Sequence, residues 1–395
     1  MEGLAWREMN WEERLLRLLF VSYALFLAGF FYIPNAVDLY KFYSVAVLAP
    51  GLFLLPRGFR LLRGNILFLL IIVYLGYMLV SPVWGGHFEW PAYLNYLRLA
   101  LFVIVFVVST VLLYKQWPQT FTAMLRLMSL LVAVAAFASI IIWYRDPAAQ
   151  PRLIGIGILE NPNASSYVYA VFAVLNLAYA FNKKSSAWLR ALHMASVIIL
   201  FAFVLFTYSR GSLLALAAAS MIMMIGWRPG KVMIAALLLG SLVFAVYFYF
   251  PQTVALLDRK VGARLDIWQA VLSKIFEAPV WGHGFLTDQY VKVDGILLFS
   301  HNAYLAAFRD GGMVGGLLLL AMLGMAVYQA WQAGRDSGDY HYLALLILAL
   351  VCMSFDTDRL LTRPRELWLV LWLPMALVLG YHVARKRGAT HLVSQ

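Results

Sequence analysis

Four short stretches carry residue types that can do chemistry. In Tyr208-Ser209-Arg210-Gly211-Ser212 a cation stands in a hinge with almost no loop between two apolar runs. Gly211 permits a tight turn there. The following helix would start with free backbone N–H groups and the positive end of its dipole, which together with Arg210 suits an anion such as phosphate. Arg264 lies at the start of a segment whose apolar Leu265, Trp268, Val271 and Leu272 recur at helical spacing, which predicts an amphipathic helix along the membrane surface. A cation in a first turn works against the helix dipole, and such a local cost points to a use. In Ser300-His301-Asn302-Ala303-Tyr304-Leu305, Ser300 is the expected N-cap, which puts His301 in the first turn on an apolar face with Phe308. Dipole and burial would both favour the neutral imidazole that a general base needs. The helix is expected to stop at Asp310-Gly311-Gly312. Asp356-Thr357-Asp358 offers two acids one residue apart, a pattern that could hold a divalent cation.

Each stretch has a plainer reading. Arg210 can snorkel to lipid headgroups. Arg264 can pair with Asp258 or Asp266 for little energy. His301 can cap or pack. For Asp356 and Asp358 the plainer reading is preferred, because oxygen-only cation sites need several ligands and Arg359, Arg363 and Arg365 stand close by as ion-pair partners.

The elements that must position these residues are membrane spans. Of 395 residues, 63% are hydrophobic and 13% charged, against about 25% charged in an ordinary soluble domain. Apolar runs recur from end to end, and a spanning helix needs about 20 such residues. They predict an all-α polytopic membrane protein, a single domain over 1–395, with about twelve spans running from Leu18–Ile33 to Glu366–Ala384. Phe42–Leu55 is short and contains Pro50, so it is expected to be kinked or re-entrant. Val232–Phe250 is the ninth span and Gly312–Trp331 the tenth. The first run is too long for a signal-peptide core and reads as a retained helix.

The net charge of +12 would suggest nucleic acid in a soluble protein. Here the basic residues cluster in gaps on one side of the spans, so they read as topology signals and lipid contacts, with no nucleic-acid partner. They place both termini in the cytoplasm. They also place two longer loops outside, Arg145–Ala164 and Pro251–Phe299, of which the second, with its Trp and Phe residues, must fold against something. Cys352 is the sole cysteine, so no internal disulfide or thiolate cluster can form.

In order and spacing, four groups of residues match a known pattern. These are Glu160-Asn161-Pro162-Asn163, Ser209-Arg210-Gly211, Arg264 to Trp268 leading to Gly282-His283-Gly284, and Ser300 to Leu305 with Gly311-Gly312 and Gly315-Gly316 after it. Over Glu160 to Gly316 the sequence resembles the O-antigen ligase family, within the superfamily that also holds O-antigen polymerases and protein O-oligosaccharyltransferases. The resemblance implies an inverting, metal-independent glycosyltransferase of the bacterial inner membrane, with no cofactor, working on the periplasmic face. The donor would be O-antigen on undecaprenyl diphosphate and the acceptor the lipid A–core oligosaccharide. It assigns the catalytic histidine to His301 and the essential arginines to Arg210 and Arg264. Asn161, Asn163, Ser209, Trp268, Asn302 and Tyr304 are the expected substrate-binding residues, with part of the active site on the periplasmic segment 251–311.

The chemistry agrees: without metal, charge growing on a diphosphate leaving group must be met by arginines and backbone N–H groups. Motifs alone do not separate ligase from polymerase or protein oligosaccharyltransferase; the short stretch after the last span favours the ligase. A transporter would place charges near the midplane or in repeated halves, whereas here they cluster at span ends.

The charge asymmetry yields a topology test. In a Cys352→Ala background, a membrane-impermeant thiol reagent added from the periplasm is expected to label a cysteine at position 288 and not one at position 390. The reverse pattern would overturn the orientation.

Overall fold

The computed structural model describes residues 10–86, 88–146, 151–225 and 262–393. Within them the chain forms twelve helices: α1 Trp11–Tyr32, α2 Ala36–Leu62, α3 Ile66–Val80, α4 Trp90–Gln116, α5 Pro118–Arg145, α6 Pro162–Ala180, α7 Ala187–Phe206, α8 Arg210–Met224, α9 Gly262–Glu277, α10 Ala303–Ser337, α11 His341–Met353 and α12 Leu373–Val393. Eight helices among the described residues are long and apolar enough to cross a membrane. The architecture is that of an all-α, multi-pass membrane protein, as lipid demands of a backbone that must satisfy its own polar groups. Every expected span but one falls on a described helix; the span expected over 232–250 lies outside the described residues.

The second span is neither short nor re-entrant. It runs 27 residues as a continuous helix, because a π turn over Tyr43–Leu48 precedes Pro50. Proline has no N–H to donate and its ring crowds the carbonyl four residues back, so a wider turn relieves both. The same device recurs at Trp368–Trp372, just before Pro374 at the start of α12. The two π turns meet: the Tyr43 and Trp368 rings lie 4.9 Å apart, both fully buried, and the Tyr43 hydroxyl donates to the Phe102 carbonyl at 2.7 Å.

The expected stop at Asp310-Gly311-Gly312 is a break inside one long rod. α10 is helical from Ala303 to Ser337 except at Gly312, which has φ 60° and ψ −160°. A break leaves helical carbonyls and N–H groups without partners, and buried ones must find others. Segment 279–284 supplies them. The N–H groups of His283 and Gly284 donate to the carbonyls of Arg309 and Asp310 at 3.0 and 2.8 Å. On the other side of the break, the N–H groups of Met313 and Val314 donate to the carbonyls of Pro279 and Val280 at 2.8 and 3.3 Å. The Tyr77 hydroxyl donates to Gly311 O at 2.8 Å, and Ser81 Oγ accepts from Phe285 N at 2.9 Å. A Cβ on Gly312 would sit 2.3 Å from the Val280 carbonyl oxygen, and one on Gly282 would sit 2.3 Å from Gly312 N.

The described part of the long loop folds as expected of its aromatic content. The amphipathic helix α9 exists, and of its expected apolar face Val271 is buried and Trp268 half-buried. Ile267 and Val271 are buried against Val291, whereas Leu265 and Leu272 are exposed. The reason is an element the sequence reading left out, an antiparallel hairpin of β1 Tyr290–Val293 and β2 Ile296–Phe299. Asp294 and Gly295 both have positive φ and close its two-residue turn, the geometry an Asp-Gly pair favours.

Two glycines of α10 should respond in opposite ways to alanine. Gly312→Ala meets backbone and must adopt φ 60°, ψ −160°, a region essentially reserved for glycine, which alone costs about 1–3 kcal/mol. Gly324 has open space around it, so Gly324→Ala should hold or raise stability, by about 0.5–1 kcal/mol. Thermal unfolding in detergent is expected to show a lowered apparent Tm for the first variant only.

Candidate active site

The backbone carries His301 to the mouth of the bundle in an unusual form. Ser300 is not the helix cap and His301 is not in the first turn. Asn302 is the N-cap, its Oδ1 accepting from the N–H groups of Tyr304 and Leu305 at 3.0 and 3.1 Å, so α10 begins two residues later than expected. His301 precedes the cap in the left-handed region, at φ 48°. For a residue with a Cβ this costs roughly 1–2 kcal/mol and persists only where neighbours impose it. Several do. Trp268 Nε1 donates to Ser300 O at 3.2 Å. Ser300 Oγ bonds to Asp358. Asn302 Nδ2 donates to Ser354 O at 3.3 Å, and the Tyr304 hydroxyl to Leu350 O at 2.9 Å. The helix-dipole argument for a neutral imidazole therefore gives way to a direct contact.

That contact is Asp356. Its Oδ1 lies 2.9 Å from His301 Nδ1. The imidazole is 36% exposed and the carboxylate 13%, so the ring can be reached from outside while its partner is covered. Burial would raise the Asp356 pKa. Hydrogen bonds from His301 and Asn163 and the charge of Arg264 outweigh it and hold the carboxyl below its ordinary value of 3.8. An ionised carboxylate on Nδ1 fixes the proton there and leaves Nε2 as the basic nitrogen. The aspartate pair therefore does not form one site: Asp356 faces His301, and Asp358 faces Ser300 and, at 3.7 Å, Arg309.

Arg264 stands in the first turn of α9, as expected, and its charge acts on Asp356 and on the Tyr167 hydroxyl rather than only on its own helix. Asn163, in the first turn of α6, bridges Asp356 and an arginine the sequence reading passed over: Arg152 Nη2 donates to Asn163 Oδ1, and Arg152 Nε to Thr207 O at 2.7 Å. Nothing in its Pro-Arg-Leu context marked it.

Thr207, Tyr208 and Ser209 form the hinge before α8. The positive φ in it belongs to Tyr208, at 51°, and not to Gly211. Gly211 is helical and serves close approach: a Cβ there would lie 3.1 Å from that of Phe355 and 3.2 Å from the Tyr167 hydroxyl. This seats the N-terminus of α8 beside the Asp356 loop. Arg210 is exposed at the first position of α8, and Ser209 makes no side-chain cap bond to the helix; its buried hydroxyl accepts from Ser212 Oγ at 2.7 Å.

The structure thus brings His301, Arg264 and Asn163 around Asp356, with Arg210 at the adjoining helix end. The side chains of Asn161, Asn302, Trp268 and Tyr304 make bonds that build the site's backbone. Asn161 caps α6 through the N–H groups of Asn163 and Ala164 at 2.8 and 3.1 Å. Beneath the site runs a buried ionic network. Asp310 accepts from Arg309 Nε at 2.8 Å and Arg359 Nε at 2.7 Å. Arg359 also reaches Thr287 O at 3.0 Å. Of the ion pairs expected for the Asp356 loop, Arg359 instead joins Asp310, and Arg365 pairs with Glu366 at 3.4 Å. Among the described residues no group of three or more His, Cys, Asp or Glu is placed to hold a metal ion.

Residues 195–320 match the O-antigen ligase family model, a stretch that contains Arg210, Arg264 and His301. An O-antigen ligase of Pseudomonas aeruginosa is 28% identical over 372 residues, covering 92% of this chain and 90% of that protein. The match runs through the spans on both sides of the site as well as the site itself. The chain is thus similar to the O-antigen ligase family across its candidate site, and to this ligase over most of its length.

Proposed function

We propose that the protein is an inverting O-antigen ligase. It transfers O-antigen polysaccharide from undecaprenyl diphosphate to the lipid A–core oligosaccharide, on the periplasmic face of the inner membrane, with both termini cytoplasmic and segment 251–311 contributing Arg264 and His301. The observation that carries this reading is the His301–Asp356 pair beside Arg264. A hydroxyl of the acceptor sugar gives its proton to His301 Nε2 while its oxygen attacks the anomeric carbon. The bond from that carbon to the carrier diphosphate breaks on the opposite side, which inverts the centre. The charge gathering on the diphosphate is met by Arg264, Arg210 and the first N–H groups of α8, donors already in place before reaction. These cations do the work a metal would do elsewhere, so turnover is expected to survive EDTA. Asp356 stays ionised at any pH above its lowered pKa, so its support for His301 is constant from mildly acidic pH upward.

With purified protein and both lipid substrates, His301→Ala is expected to lower turnover by about a hundred- to ten-thousand-fold while leaving carrier-diphosphate binding intact. Asp356→Asn should lower kcat by about tenfold or more, because an amide can present either a donor or an acceptor to Nδ1 and no longer selects the tautomer. Arg264→Lys and Arg210→Lys should weaken donor binding although charge is kept, since ammonium lacks the planar fork of guanidinium. Normal donor binding in both arginine variants, with loss of it in His301→Ala, would reverse the roles. In a deletion strain, lost long-chain lipopolysaccharide with carrier-linked polymer still accumulating supports the ligase; loss of the polymer itself means a polymerase.

A further inference from the structure

A second cluster of cations stands at the same end of the bundle as His301, away from Arg210 and Arg264. The end of α1 is fixed there by Ile158 N donating to Phe30 O at 3.3 Å, and α2 starts immediately after it. The first turns of α4 are fixed there by the Tyr96 ring, 4.8 Å from that of Phe285. Between α2 and α4 lies a groove of about 590 Å³. Its floor is apolar, with Val45, Leu48, Leu97 and Leu101, and Tyr40 stacks at 5.5 Å on Phe102 behind it. Part of one wall is the π turn over Tyr43–Leu48, whose wider bore sets Ser44, Val45 and Leu48 along the groove. π turns of this kind recur at functional sites.

The mouth is cationic. The guanidinium carbons of Arg98 and Arg363 each lie 5.3 Å from the centroid of the Tyr40 ring, and Lys41 is on the rim. Opposing them is Asp38, which pairs with Lys41 at 3.5 Å with both side chains exposed; Arg98 also donates to Asn95 Oδ1 at 2.6 Å. Three cations against one carboxylate leave an excess of positive charge around a single aromatic ring, above a greasy slot. Phosphate over an acyl chain complements both parts.

We propose that this groove seats the phosphorylated, acylated end of the acceptor glycolipid; this rests on the ligase reading above. The acceptor is favoured over the donor carrier by connectivity. Arg363 sits in the segment between α11 and α12, seven residues after Asp356, so the loop that holds the base also reaches the groove. The arginines assigned to the donor ride on α8 and α9, which pack on α11 and α10, while the groove is built by α2 and α4. Donor and acceptor lipids would thus reach His301 by separate routes.

The test uses full-length protein in lipid nanodiscs in a His301→Ala background, so that binding is read without turnover. Probes are bisphosphorylated lipid A, its dephosphorylated form, and phosphatidylglycerol. The Arg98→Gln/Arg363→Gln double variant is expected to bind lipid A at least about tenfold more weakly and to bind carrier diphosphate normally. Leu97→Trp, an exposed filler of the slot, should do the same with the cations intact, and covers the case in which the double variant does not fold. With His301 restored, both variants should raise the KM for acceptor and leave kcat unchanged. Unchanged lipid A binding in the variants, or phosphatidylglycerol bound as tightly as lipid A, overturns the proposal. Groove-dependent lipid A binding by a protein whose His301→Ala form still ligates would instead sink the catalytic reading and leave the groove standing.

Discussion

A backbone polar group in a membrane protein has no water to fall back on, and the break in α10 is where this constraint shapes the molecule. Turning the chain at Gly312 strands helical donors and acceptors at a buried point. Segment 279–284 satisfies them on both sides of the break, and is thereby fixed. Because it is fixed, Phe285 reaches Ser81 and the hairpin after it has a defined origin. The hairpin gives α9 its packing surface through Val291, and α9 in turn presents Arg264 and, through Trp268, the carbonyl of Ser300. The position of His301 is thus the last step of a chain of dependencies that begins with an unpaired carbonyl.

The segment between α11 and α12 does the electrostatic half of the work. Within eight residues, Asp356 reaches His301, Asp358 reaches Ser300 and Arg309, Arg359 reaches Asp310, and Arg363 reaches Tyr40. Charge is paired where it is buried, as it must be, since an uncompensated ion there would cost several kcal/mol. At this end of the bundle Arg210 and the groove mouth are exposed cations, where an anionic ligand can supply the balance.

The spans were legible because apolar run length is a direct consequence of bilayer thickness. His301, Arg264 and Arg210 stood out because a polar residue beside an apolar run needs a reason. What was not legible depends on contacts distant in sequence. Asp356 was noticed as half of a cation-binding pair; that it belongs to His301, 55 residues earlier, is decided by how α10 and α11 pack. The helix starts two residues later than expected because Ser300 and Asn302 are both good caps, and the choice falls to Asn302 with Asp358 engaging Ser300. Which part of α9 is buried depends on its packing partner, the hairpin, and not on the helix's own apolar spacing alone. Its Asp294-Gly295 turn is visible in the sequence, but the flanking strands are four residues each and too short to carry a clear alternation.

The paired π turns before Pro50 and Pro374 carry an implication for how the chain tolerates change in length. Each turn holds its helix slightly out of α-helical phase, and the phase is what brings Tyr43 and Trp368 face to edge. Removing one residue from either turn would rotate everything on one side of it by about 100° relative to the other. On α2 that rotation would carry Tyr40 and Lys41 off the groove while leaving Pro50 and the rest of the span in place. Gaps and insertions in related sequences should therefore avoid these two turns even though neither touches the candidate base, and a frame-preserving single deletion there should be worse tolerated than most substitutions in the same helix.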